Sequence, residues 1–219
     1  MTNVMDAAAP QSPPNVFQGK WPNGLPSGYT SIKFEGWDDA SGGSNYGTEM
    51  SQVYLSMWIK LVGTDYENEP RGTKLGFFSY GESKAGAGNQ GILFLKGTGA
   101  QTTASAWSLQ FSQQDSASGG VDRDQNVDTR QLMTSGEWHH WEIVLALNDP
   151  GTANGVFRWW IDGTMILDYA NVVYRDAQRP LGFYCWKFWP YWGGFNPTDS
   201  KTRDDFVQID HVYLSGIVK

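Results

Sequence analysis

Two stretches of this sequence concentrate side chains able to do chemistry. In SASGGVDRDQNVDTRQLM, Asp122, Asp124, Asn126 and Asp128 fall at alternate positions, and on a curled loop such oxygens could surround a hard cation such as calcium. An EF-hand is excluded, because Val127 stands where its glycine is needed and Met133 where its bidentate glutamate is needed. The same loop also reads as a solvated acidic turn with Arg123 and Arg130 as counter-charges. The second stretch, GFYCWKFWPYWGGF, crowds Phe183, Tyr184, Trp186, Phe188, Trp189, Tyr191, Trp192 and Phe195 together. One strand's inner face cannot hold so many rings. The surplus around Pro190, namely Trp189, Tyr191 and Trp192, is expected to stack on sugar rings or to contact another subunit, since both uses need flat apolar area with a polar handle.

Other reactive groups are scarce. His139 and His140 are adjacent, so on a strand they point to opposite faces and cannot chelate one zinc ion. Cys185, the only cysteine, lies between Tyr184 and Trp186 and is expected to be a packed thiol. No internal disulfide can form, and no Gly-x-Ser-x-Gly elbow supports serine chemistry.

The elements that must position these residues are strands. In QVYLSMWIKL, Val53, Leu55, Met57, Ile59 and Leu61 alternate with Tyr54, Ser56, Trp58 and Lys60, a period of two that makes one face core and leaves the other aromatic and polar. In EWHHWEIVLAL the core set is Trp141, Ile143, Leu145 and Leu147, with Trp138, His140, Glu142 and Ala146 opposite. The loop NDPGTANG follows, then two strands joined by Asp162-Gly163, the dipeptide that a type I′ hairpin turn requires. An antiparallel meander is predicted. TKLGFFSYG, GILFLKG and AWSLQFSQQ add short strands bounded by Gly or Ser, and no segment shows a helical repeat.

At 219 residues the chain suits one β-sandwich, and 26 glycines suit its turns. Residues 1–15 carry Pro10, Pro13 and Pro14 and are expected to form an extended, weakly ordered leader, with residues 16–219 as the single domain. Residues 16–46 are expected to wrap the sandwich edge with short strands near Phe17 and Ile32. The formal net charge of -7 argues against nucleic acid or an anionic membrane as partner. The N-terminus lacks the basic and apolar regions of a secretory signal, so an extracellular place is expected only within a larger protein or on a virion.

VYLSMWIKL, GTKLGFF, GEWHHWEIVLALNDPGTANGVFRWWIDGTMILDYANV, and YWGGF with DDFVQIDHVYLSG together resemble the concanavalin A-like lectin/glucanase superfamily, and within it laminin-G-like modules and jelly-roll polysaccharide lyases. The resemblance implies an all-β antiparallel jelly roll of two curved sheets with little helix, binding ligands in a groove or at a loop rim. It further implies one structural calcium held from the final strand, where Asp210 takes the matching place. The paired carboxylates of a retaining glycosidase, Glu-x-Asp-x-Glu, are missing. The lyase signatures Arg-x-Glu-x-x-Arg, Gln-Ile-His and Tyr-x-Lys-x-Gly-x-Tyr are also absent, and VQIDH has Asp210 where the histidine would stand.

The reading favoured by the sequence is therefore a non-catalytic, carbohydrate-binding jelly roll whose partner is a polysaccharide or glycan. Tyr54, Trp58, His140, Glu142 and Arg158 would line its groove, with Trp189, Tyr191 and Trp192 capping it. One alternative is a lyase acting on a uronate-containing polymer, with His140, Arg158, His211 and Tyr213 sharing the proton transfers and carboxylate neutralisation. Another is a structural, decoration or attachment protein of a phage virion, in which the aromatic patch meets other subunits.

Overall fold

The computed structural model describes residues 2–38, 49–63, 66–69, 72–81, 89–96, 106–114, 120–194 and 198–218. Phe195 of the aromatic run lies outside them. The strands are β1 (Thr2–Met5), β2 (Asn15–Trp21), β3 (Phe34–Asp38), β4 (Met50–Val62), β5 (Thr73–Gly81), β6 (Asn89–Lys96), β7 (Ala106–Gln114), β8 (Val121–Asp124), β9 (Met133–Thr134), β10 (His139–Ala146), β11 (Gly155–Ile161), β12 (Thr164–Val172), β13 (Leu181–Phe188) and β14 (Asp205–Val218). No helix occurs among the described residues, as the pattern predicts.

One antiparallel layer runs β1-β2-β14-β4-β10-β11-β12. The other runs β3-β13-β5-β6-β7-β8. They touch through a single strand pairing, Phe183 opposite Met50, so the sheet is not closed. This is the jelly-roll sandwich expected.

The alternation read from the sequence decides what each strand buries. Val53, Leu55, Met57, Ile59 and Leu61 of β4, with Trp141, Ile143 and Leu145 of β10, are all essentially inaccessible. Leu75, Phe78, Leu93, Phe111, Phe183 and Trp186 face them from the second layer. Phe111 stacks on Phe157 across the gap, with centroids 3.9 Å apart. Each such side chain contributes roughly 1.5–3 kcal/mol on leaving water. Cys185 is fully buried, the packed thiol expected.

The hairpin between β11 and β12 forms as predicted. Asp162 has φ 50° and Gly163 φ 76°, the doubly positive pattern of a type I′ turn. Asp162 does more than turn the chain. Its carboxylate accepts the His140 N–H at 2.7 Å and the His139 Nδ1–H at 2.8 Å, while His139 Nε2 accepts the Thr134 N–H at 3.1 Å. Both partners consume the ring nitrogens of His139, which is buried.

The leader departs from expectation. Thr2–Met5 pair with Asn15–Gln18 along the edge of the first layer. Asp6 accepts from Lys60 Nζ at 2.9 Å and from Trp138 Nε1 at 3.3 Å. Three prolines do not prevent order here, because these contacts give the segment's polar groups partners on the sheet's outer face. Ile32 is buried just before β3, so the second predicted edge strand begins two residues later, at Phe34.

Candidate active site

The two layers turn very different faces outward. On the second layer, Lys187 of β13 pairs with Phe77 of β5, and Phe77 with Ile92 of β6. One step along, Ser79 pairs with Gln90. Trp186 and Phe78, the intervening pair, point into the core, so Lys187, Phe77, Ser79 and Gln90 share the opposite face.

Beyond β13 the chain doubles back over the start of β5. The Lys74 N–H donates to the Tyr191 carbonyl at 3.0 Å, Trp21 Nε1 donates to the Pro190 carbonyl at 2.9 Å, and the Gly28 N–H donates to the Trp192 carbonyl at 2.9 Å. This strap holds the Tyr191 ring edge-on to Phe77, centroids 5.8 Å apart. It also places Trp189 beneath two ammonium groups, Lys187 Nζ at 4.6 Å and Lys33 Nζ at 5.0 Å from the ring centre.

The result is a hollow of about 280 Å³ whose chemistry comes from Lys74, Gln90, Lys187, Trp189 and Tyr191, over a floor that includes Phe77. No Asp or Glu is among the described residues lining it. In a chain with a net charge of -7, the charged side chains among the described lining residues are two lysines. Lys74 sits over the Phe94 ring, its ammonium 5.9 Å from the centroid, and burial pushes its pKa below the usual lysine value. The hollow thus offers cations for an anionic ligand, a phenol and an amine for proton transfer, and an indole for stacking. Two-carboxylate glycoside hydrolysis has no basis in it.

The structure divides the sequence-predicted ligand residues into three groups. Trp189 and Tyr191 line the hollow. Trp192 does not: it is 2% exposed and its Nε1 donates to the Glu67 carbonyl at 2.9 Å, because strand-like alternation along the strap turns it to the side opposite Tyr191. Tyr54, Trp58, His140, Glu142 and Arg158 lie on the outer face of the first layer, not in a groove shared with Trp189. There they satisfy one another. Tyr54 Oη donates to Glu142 at 2.8 Å, His140 stacks on Trp58 at 4.7 Å and meets Ser56 Oγ at 2.8 Å, and Arg158 Nε donates to Asp168 at 2.9 Å. Burial and the neighbouring Glu142 raise the Tyr54 pKa.

The residues named for proton transfer in a lyase are likewise elsewhere. His140 and Arg158 belong to that outer face, and Tyr213 lies 6.1 Å from Tyr54 on it. His211 is carried by a bulge between Asp210 and Tyr213, with φ 48°, and lines a separate, mainly apolar hollow with Phe17 and Phe34.

The calcium candidates do not converge. Asp122 and Asp124 are on β8, where an extended backbone sets alternate side chains about 7 Å apart instead of curling them round an ion. Asp124 accepts from Gln110 at 2.8 Å, Asn126 exchanges hydrogen bonds with the Asp168 backbone at 2.8 and 2.9 Å, and Asp128 pairs with Arg130. Asp210 is buried and accepts the Gln11 and Ser12 N–H groups at 2.8 and 3.1 Å, so it pins the leader. Among the described residues no group of three or more His, Cys, Asp or Glu could hold a metal ion. These residues do not fit a structural calcium.

Sequence reasoning missed Lys74, Gln90 and Lys187. One signal was present: Lys187 and Tyr191 keep the Lys-x-x-x-Tyr spacing of the Tyr-x-Lys-x-Gly-x-Tyr signature, with Cys185 and Trp189 replacing its first tyrosine and its glycine.

No protein-family model and no curated protein matches the chain. Solved structures do. A variant of the alginate lyase Aly36B in complex with alginate trisaccharide superposes with TM-score 0.69 at 16% identity, covering 92% of this chain and 82% of that one. The endo-β-1,4-glucuronan lyase from the fungus Trichoderma reesei gives 0.65 at 13% identity, covering 99% and 87%. The marine PL-14 alginate lyase from Aplysia kurodai gives 0.63 at 12%, covering 99% and 90%. The likeness shows the fold, an antiparallel jelly roll shared with these polysaccharide lyases. The expectation of a non-catalytic lectin is corrected by this comparison, since the structural relatives are lyases and favour the eliminative alternative.

Proposed function

We propose that the protein is a polysaccharide lyase that cleaves a uronate-containing polymer by β-elimination, with the hollow on the second layer as its active site. The observation that carries this reading is the convergence of Lys74, Lys187, Gln90 and Tyr191, two amines, an amide and a phenol, on one hollow. Elimination needs three things from the enzyme: neutralisation of the uronate carboxylate, a base for the proton α to it, and an acid for the departing oxygen.

Lys187 takes the first role, and Gln90 adds a neutral hydrogen bond to the same carboxylate. Lys74 takes the second, because a desolvated amine with a lowered pKa is more often neutral and able to accept a proton. Tyr191 takes the third by donating its phenolic proton. The electron pair of the broken C–H bond forms the new C=C bond, the C–O bond to the leaving sugar breaks, and that oxygen receives the proton. Trp189 stacks on a neighbouring sugar ring.

The test is a panel of polymers that includes alginate and glucuronan, read by the ultraviolet absorbance of the unsaturated uronate end. Product from one of them, lost in Tyr191→Phe and Lys187→Ala, is the expected result. Retained depolymerisation in both variants, or saturated ends from every cleaved polymer, would overturn the assignment.

A further inference from the structure

The strap that presents Tyr191 is gripped on both sides by one buried polar cluster. On one side, the Pro190 carbonyl accepts from Trp21 Nε1 at 2.9 Å, and the Trp21 ring packs edge-on to Tyr66 at 5.5 Å. On the other, Trp192 Nε1 donates to the Glu67 carbonyl at 2.9 Å. Lys201 joins the two grips. Its Nζ, with the side chain fully buried, donates to the same Glu67 carbonyl at 3.1 Å and to Asp205 Oδ2 at 2.6 Å, and it sits 5.3 Å over Tyr66 and 5.0 Å over Trp192. Asp205 also accepts the Glu67 N–H at 2.8 Å, and the Glu67 carboxylate accepts the Thr202 N–H at 2.9 Å.

A fully buried ammonium is costly, and here burial holds its pKa below the usual lysine value even with Asp205 and Glu67 beside it. A purely apolar packing residue would close the same space without that cost. What an ammonium adds is direction. It fixes the Glu67 carbonyl, and the carbonyl fixes the tilt of the Trp192 ring one residue from Tyr191.

We infer that Lys201 is a positioning residue for Tyr191, acting with Glu67 and Asp205 through Trp192 to aim the phenol into the hollow. This rests on the lyase reading for its catalytic consequence, but the positioning itself can be measured without turnover. Two variants serve: Lys201→Met, which removes the ammonium, and Trp192→Phe, which keeps an aromatic ring but removes the Nε1–H donor to Glu67 together with part of the indole's packing. Lys201→Arg keeps the charge.

The first measurement is the ultraviolet titration of Tyr191, obtained by subtracting the curve of the Tyr191→Phe form of each protein. The expected result is a shifted Tyr191 titration in Lys201→Met and Trp192→Phe, and a smaller shift in Lys201→Arg. The second is the steady-state split on the cleaved polymer. A displaced general acid lowers kcat by about tenfold to a hundredfold with KM nearly unchanged, and the arginine form recovers part of it.

An unmoved Tyr191 titration together with unchanged kcat in the folded variants would overturn the inference and leave Lys201 a stabilising residue only. If Lys201→Met does not fold, Trp192→Phe decides alone by the same criteria. If the unaltered protein cleaves no polyuronate, the lyase reading fails, and the titration still decides whether Lys201 positions Tyr191.

Discussion

The outer face of β4, β10 and β11 and the hollowed face of β5, β6 and β13 carry similar inventories of rings, hydroxyls and charges, yet they differ in how those groups are used. On the first face each charge has a partner: Glu142 takes the Tyr54 phenol and Arg158 takes Asp168. His140 is stacked and hydrogen-bonded as well. On the second, Lys74, Lys187 and Tyr191 surround a cavity with no lining carboxylate among the described residues. Polar groups that satisfy one another stabilise a sheet, whereas amines and a phenol that converge on a cavity can also meet a ligand placed in it.

The sharpest way to break this comparison is to delete the same atom on both faces. Tyr191→Phe is expected to lower the rate of unsaturated-uronate formation by about 10²–10⁴-fold, the range of a general acid, while Tyr54→Phe leaves it within about twofold. Equal losses would merge the two faces into one functional surface.

Cations give the next largest contrast. Lys187→Ala removes a charge-assisted contact of about 1.5–3 kcal/mol, so kcat/KM should fall by about 10- to 150-fold, with the arginine form retaining part of it. Arg158→Ala should leave kcat/KM unchanged and alter only the denaturant midpoint, by about 1 kcal/mol or less. Initial rates at several ionic strengths, with parallel urea curves, read both.

A third prediction concerns the meander that builds the outer face. A valine at position 163 would have open space for its side chain but a φ of 76° that β-branched residues avoid. Gly163→Val is expected to cost about 1–2 kcal/mol in urea unfolding, with activity per folded molecule preserved.

The pH dependence should be smaller. Burial pushes the Asp162 carboxyl up, but hydrogen bonds from His139 and the His140 N–H more than offset it, so its pKa in the folded protein lies below the usual value. Its contribution is therefore complete above the unfolded pKa, near 4, and is lost as pH falls through the lower folded pKa. Asp162→Asn should remove that slope, worth about 0.5 kcal/mol after solvent screening, from acid melting curves. Smallest of all, a chelator should leave the melting temperature unchanged, since Asp124, Asn126 and Asp128 are committed to separate partners and Asp122 stands on an extended strand.

Much of the sandwich is written locally. Hydrophobic alternation in β4 and β10 gives strand, face and core without any long-range knowledge, because side chains on a strand must alternate. Asp162-Gly163 determines its turn because only residues tolerant of positive φ can occupy it. What alternation cannot tell is which layer's outward face is hollowed, so Tyr54, Trp58 and His140 read as equal to Trp189 and Tyr191. Lys74 and Lys187 are far apart in the chain, and apart from the spacing of Lys187 to Tyr191 nothing in their neighbours marks them. They meet because β13 lies beside β5, and a pairing between distant strands is decided by the packing of the whole sandwich, on which register and burial both depend. Likewise nothing near Lys201 in sequence points to Tyr191: the sequence by itself determines a β-sandwich with a surplus of aromatic rings, and only tertiary contact turns one of those rings into a positioned phenol.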